Sequence, residues 1–213
     1  MGVSVCAAHL PGREDRLLEK PYTDFAPLVR AVTKEFRPYL DKPFALFGHS
    51  MGAMLCFELA YSLREEYGVE PLHLFVSGRR APQLPDSESP TYNLPEPEFL
   101  TELSRLNGTP KEALEHPELM RLLLPLLRAD FELVQTYRYT ERPPLNIPLT
   151  ALGGIQDPDV SREQMEAWRI QTAARFMMRM LPGDHFFINT ARTLLLQALS
   201  MQLNQMLMQL PRS

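Results

Sequence analysis

The stretch Pro43-Phe44-Ala45-Leu46-Phe47-Gly48-His49-Ser50-Met51-Gly52-Ala53-Met54-Leu55-Cys56-Phe57-Glu58-Leu59-Ala60 decides how this chain is read. Its first part, through Phe47, is a short apolar run of the kind that forms a buried strand. Its last part, from Ala53, carries apolar residues at helical spacing. Between them stands G-x-S-x-G, with Ser50 at its centre. A strand that enters a helix through so few residues must turn sharply. Two residues either side of the serine, β-carbons would collide, so Gly48 and Gly52 are both read as sterically required. The turn lifts the serine hydroxyl clear of the sheet. The helix behind it directs backbone N–H groups and the positive end of its dipole at the same spot. The pentapeptide alone is a weak signal, and its strand and helix flanks make it specific.

Outward from this centre, strand-like runs alternate with helical patterns. Residues 3–8 read as a buried strand closed by Leu10-Pro11-Gly12, and residues 44–47, 72–76, 149–152 and 176–181 as four more. Helices are predicted from an N-cap at Thr23 or Asp24 through Phe36, over 53–67 closed by Gly68, over 161–173 with Ser161 and Gln164 in capping-box positions, and over 190–208. The alternation predicts an α/β chain with a mostly parallel sheet and helices on both faces. With the G-x-S-x-G turn in place, the fold expected is that of an α/β-hydrolase. Residues 83–140 break the alternation: a Pro/Ser/Asp-rich loop is followed by helical stretches at 98–106, 110–116 and 118–137. An insertion between strands of such a sheet lies over the strand C-termini, where ligands bind. It reads as a helical lid within a single domain spanning 1–213. A helical packing layer without a gating role is the alternative.

Composition narrows the function classes. The chain has 213 residues, 45% apolar and 23% charged, as in ordinary globular domains. A net charge of −4 speaks against nucleic acid and anionic membranes as partners. No apolar run is long enough to span a bilayer, and the start lacks a basic region followed by an apolar stretch and a cleavage site. Cys6 and Cys56 fall in apolar runs and read as buried thiols rather than a disulfide, which suits a reducing cytoplasm. No Cys/His group has metal-ligand spacing, and no glycine-rich nucleotide-binding motif is present.

A serine hydroxyl needs a base within hydrogen-bond reach, and that base needs an orienting acid. In this fold the chain order is serine, acid, histidine. Asp157 follows Gly153-Gly154-Ile155-Gln156 at the end of the fourth strand. His185 follows Pro182-Gly183-Asp184 at the end of the fifth. Ser50, Asp157 and His185 therefore converge on one edge of the sheet. Among the other histidines, His49 belongs to the turn and points away from its serine neighbour, His73 lies within a strand, and His9 and His116 lack a strand-end context. Asp159 is the rival acid, and Asp184 is too close to the histidine to reach its ring. The backbone N–H of Met51 is the expected oxyanion donor.

Five segments together carry a family resemblance: Leu10-Pro11-Gly12-Arg13-Glu14-Asp15-Arg16, the turn from Phe47 to Ala53, Gly78-Arg79-Arg80-Ala81-Pro82, Gly153-Gly154 through Asp157-Pro158 with Val160-Ser161, and Pro182-Gly183-Asp184-His185-Phe186-Phe187. In order and spacing the chain resembles the type II thioesterases of nonribosomal peptide and polyketide synthesis. The resemblance implies a Ser50–His185–Asp157 hydrolase that removes acyl groups from the phosphopantetheine arm of a carrier protein, with no cofactor. Members often have acidic residues at both positions before the proline; here Gln156 takes the first, which favours Asp157. Members also begin with a further strand and an F-P-x-A-G-G loop that gives the second oxyanion donor. This sequence lacks both, so an N-terminally truncated fold and weakened turnover are expected. Losing one such donor costs on the order of 10²–10³ in turnover.

A carrier partner is acidic, and Arg13, Arg16, Arg79 and Arg80 are candidates to meet it or are solvated loop charges. Residues 119–124 read as helix core, or as the wall of an acyl channel. The apolar stripe over 194–208 reads as core. An esterase of free oxygen esters and a carrier-binding remnant without turnover are the competing functions.

Overall fold

The computed structural model describes residues 2–85, 89–106, 108–109 and 111–210. Residues 86–88, Asn107 and Pro110, parts of the predicted loop and helical insertion, lie outside the described residues. In chain order the elements are α1 (Phe25–Phe36), β1 (Leu46–His49), α2 (Met51–Tyr67), β2 (Leu74–Ser77), α3 (Glu96–Leu106), α4 (Lys111–Leu114), α5 (Pro117–Thr136), β3 (Leu149–Gly154), α6 (Arg162–Glu166), β4 (Phe176–Leu181), α7 (Phe187–Thr190) and α8 (Arg192–Gln209). The four strands form one parallel sheet in the order β1-β2-β3-β4. All four therefore end on the same edge, at His49, Ser77, Gly154 and Leu181.

Alternation along the strands divides the core into two layers. Leu74, Val76, Leu149 and Ala151 face the larger layer, with Phe57, Tyr61 and Leu63 of α2, Leu28 of α1 and the fully buried Trp168. Leu152 points the other way, to Leu181, Phe187, Ala191 and Leu195 under α8. Helices thus cover both faces, as a parallel sheet requires. Asp24 caps α1 by accepting the N–H of Ala26 at 3.0 Å. Gly68 closes α2 in the left-handed conformation that a residue with a β-carbon adopts only at a cost. Ser161 and Gln164 form the capping box predicted for the helix after β3. That helix is shorter than expected: α6 ends at Glu166 and tightens into a 3₁₀ turn over Ala167–Gln171, which buries Trp168 so that its indole N–H donates to Arg79 O at 2.7 Å.

Four expectations are corrected. Residues 3–8 form no strand: they are exposed, Val5 by 90%. A strand needs a partner ladder as well as a β-prone sequence, and among the described residues β1 pairs only with β2. Cys6, on this segment, is accordingly exposed rather than buried. The stripe over 194–208 is core on one side only: Leu195, Ala198 and Gln202 are buried, while Leu194, Leu196, Met201 and Met208 face outward. The turn also needs only one of its two glycines. A β-carbon on Gly48 would lie 2.0 Å from Gly52 O, whereas one on Gly52 would meet nothing within 4 Å.

Between β2 and β3, α3, α4 and α5 assemble around their own apolar cluster of Phe99, Leu103, Met120 and Leu124. Of the stretch 119–124, Met120 and Leu124 are helix core and Leu122 is exposed. The insertion meets the rest of the molecule through Leu133, which joins the main core, through Leu84, Tyr137 and Tyr139, which pack against that core, and through side-chain pairs.

Candidate active site

Ser50 occupies the turn between β1 and α2 with φ 53° and ψ −117°, one of two non-glycine residues with positive φ among those described. This is a strained conformation for a residue with a β-carbon. It is held because Gly48 lets the strand pass against the first turn of α2 and because Ser50 N donates to Ser77 O at 2.7 Å. The Ser50 side chain caps nothing. Its Oγ instead lies 3.1 Å from His185 Nε2.

Beyond the imidazole, His185 Nδ1 donates to Asp157 Oδ2 at 2.9 Å, with the Asp157 side chain fully buried. The other Asp157 oxygen accepts the N–H groups of Asp159 and Val160 at 2.9 and 3.2 Å, so the acid loop fixes its orientation. A hydroxyl, an imidazole and a carboxylate in this sequence can move the Oγ proton onto Nε2 while the carboxylate steadies the resulting cation. Met51 is the first residue of α2, where the helix leaves N–H groups without intrahelical partners.

The rival side chains have other partners. Asp159 pairs with Arg105 at 2.8 Å, and Asp184 accepts the N–H of Phe186 at 2.9 Å. His9 lies exposed beside Glu14 and Asp15, and His116 caps α5. His73 is buried against Thr150 at 2.8 Å. His49 turns from Ser50, its Nδ1 3.0 Å from Ser77 Oγ, yet its ring centroid lies 5.2 Å from that of His185. Burial first, and then the adjacent His185, lower its pKa to about 4, so it packs beside the site as a neutral ring.

Gln156 has a part that sequence reasoning missed. Its N–H donates to Gly183 O at 2.9 Å and its side-chain oxygen accepts the N–H of Gly183 at 2.5 Å. The residue thus bolts the acid loop to the base loop. The Gly153-Gly154 pair was the available signal, because a β-carbon on Gly154 would lie 2.3 Å from Asp184 O and hold the loops apart. Of the candidate basic residues, Arg13 pairs with Asp130 of α5 through Nη2 at 2.5 and 2.6 Å, and Arg16 pairs with Glu19. Arg79 and Arg80 line a cavity of about 270 Å³ with Met54, Leu84, Tyr137 and Arg138.

Three comparisons with known proteins fit this geometry. The chain matches the family model of the thioesterase domain over residues 1–203. It is 50% identical over 197 residues to the linear gramicidin dehydrogenase LgrE of Brevibacillus parabrevis, covering 91% of this chain and 75% of that protein. It is 44% identical over 205 residues to the gramicidin S biosynthesis protein GrsT of Aneurinibacillus migulanus, covering 96% and 80%. Among solved structures it resembles the RedJ thioesterase of the prodiginine pathway in Streptomyces coelicolor, with a TM-score of 0.84, 40% identity, and 91% of this chain and 73% of that one covered.

Proposed function

The chain belongs to the thioesterase family, and from that premise we propose that it hydrolyses acyl groups held as thioesters on the phosphopantetheine arm of a carrier protein in nonribosomal peptide or polyketide synthesis, clearing stalled or wrong units. The observation that carries the reading is the run of contacts from Ser50 Oγ through His185 to Asp157, at 3.1 and 2.9 Å.

Ser50 Oγ attacks the thioester carbonyl as His185 Nε2 takes its proton. Asp157, accepting from Nδ1–H, holds the ring and stabilises the imidazolium. The N–H of Met51 donates to the oxyanion. Collapse breaks the carbon–sulfur bond, and His185 returns the proton to the departing pantetheine sulfur. Water then attacks the acyl-Ser50 ester with His185 again as base, which releases the carboxylic acid and restores the serine. The insertion, 83–140, acts as a lid over this site. The carrier approaches the face where Arg79, Arg80 and Arg138 border the cavity beside Met54, whose mixture of guanidinium and apolar walls suits a phosphate-bearing, amide-rich arm.

The test is mass spectrometry of an acyl-loaded carrier protein incubated with wild type or Ser50→Ala. Wild type is expected to deacylate it, and Ser50→Ala to lose turnover by on the order of 10⁶-fold, the size seen when a triad serine is removed elsewhere. Binding without deacylation by either would indicate a remnant. Rapid cleavage of oxygen esters with the carrier untouched would indicate an esterase.

A further inference from the structure

Arg105 stands on the last turn of α3 and reaches out of the insertion to the loop that carries Asp157. Its Nη1 donates to Asp159 Oδ1 at 2.8 Å. Its Nε and Nη2 donate to Glu102, one turn earlier, at 2.9 and 2.8 Å. The guanidinium is therefore steadied from its own helix and aimed at the acid loop. Glu102 first, then Asp159, raise the Arg105 pKa, so the charge is permanent.

Asp159 is fixed from the other side as well, because its N–H donates to Asp157 Oδ1 at 2.9 Å. From there Asp157 reaches His185 at 2.9 Å, and His185 reaches Ser50 at 3.1 Å. Contacts thus run without a break from α3 to the serine. The insertion also presses on the base loop: a β-carbon on Gly108 would lie 2.4 Å from the ring of Phe186, the residue after His185.

Resting on the triad reading above, we propose that Arg105 is a positioning residue, which through Asp159 sets the acid loop so that Asp157 faces His185 only when α3 is seated. The chemistry is then coupled to closure of the insertion. A merely stabilising surface pair would affect folding, whereas a positioning residue acts on turnover.

The test measures kcat and KM on a small soluble acyl thioester, an acyl-N-acetylcysteamine, with thermal unfolding in parallel. Arg105→Gln is expected to lower kcat about five- to tenfold with KM within about twofold of wild type. Arg105→Lys, which keeps the charge, restores most of the loss. Asp159→Ala lowers kcat by a similar factor, and the double variant loses no more than either single one, because one contact is removed in all three. Additive losses, a rise in KM at constant kcat, or wild-type kcat in Arg105→Gln would each overturn the proposal. If Arg105→Gln does not fold, Asp159→Ala carries the same test from the loop side. A Ser50→Ala enzyme that still turns over would sink the triad itself, while a dead Ser50→Ala beside a fully active Arg105→Gln sinks the positioning role alone.

Discussion

β3 is buried along its whole length and paired on both sides, whereas α3 and α5 pack around a separate apolar cluster and meet the rest of the molecule through a few polar ties. Those ties include Arg105 to Asp159, Arg13 to Asp130 and the hydroxyl of Tyr137 to Glu58, together with the apolar reach of Leu133. A continuous hydrogen-bonded ladder is cooperative, and losing one contact leaves the rest in place. Ion pairs at a surface contribute under about 1 kcal/mol each. The difference teaches where rigidity and movement are divided. Ser50, Asp157 and His185 stand at the ends of paired strands, whereas α3 and α5 pack mainly on one another, so local opening is expected in the insertion before the sheet.

The comparison can be broken or sharpened in three ways. The largest effect belongs to the strand-end loops. Asp157→Asn should lower kcat by on the order of 10⁴-fold, as it does for the triad acid of a serine protease, with the insertion still docked. A loss below tenfold would mean that the acid loop is not where the chemistry is fixed. Next is the insertion's own cluster. Phe99 is fully buried there, and Phe99→Ala should cost about 3–5 kcal/mol. Hydrogen exchange should then quicken in α3 and α5 and stay slow in β2 and β3. Equal quickening in the sheet would make the two regions one cooperative unit.

The smallest effect is an acid sensitivity confined to the sheet. His73 Nε2 meets Thr150 Oγ1, whose hydroxyl donates to Gln202 of α8 at 3.1 Å. Burial first, and Arg175 second, lower the His73 pKa to about 4. Above about pH 6.5 the ring is neutral in both folded and unfolded chains. As the pH falls from there toward 4 only the unfolded chain takes up the proton, so the stability this ring contributes is lost over that window, on the order of 3 kcal/mol in all. Denaturant unfolding from pH 7 to 4 should show a steeper fall for wild type than for His73→Gln. Parallel curves would remove His73 as the cause.

Much of the site was legible because its signals are local. G-x-S-x-G between a strand and a helix needs a tight turn wherever it occurs, and Asp157 and His185 each follow a strand by a few residues. The N-cap at Asp24, the closing Gly68 and the Ser161/Gln164 box likewise act within one turn of chain. What was not legible depends on partners remote in sequence. That Gln156 would clamp Gly183 and that Arg105 would meet Asp159 follows from loops brought together by the sheet.

The sequence by itself determined the order of strands and helices and the serine turn, because hydrophobic period and turn sterics are properties of neighbours along the chain. Only the tertiary structure decided that residues 3–8 make no strand, that Gly48 and not Gly52 is the crowded glycine, and that one side of α8 faces outward. Pairing, close approach and burial are relations between surfaces, and a surface exists only once the chain has folded.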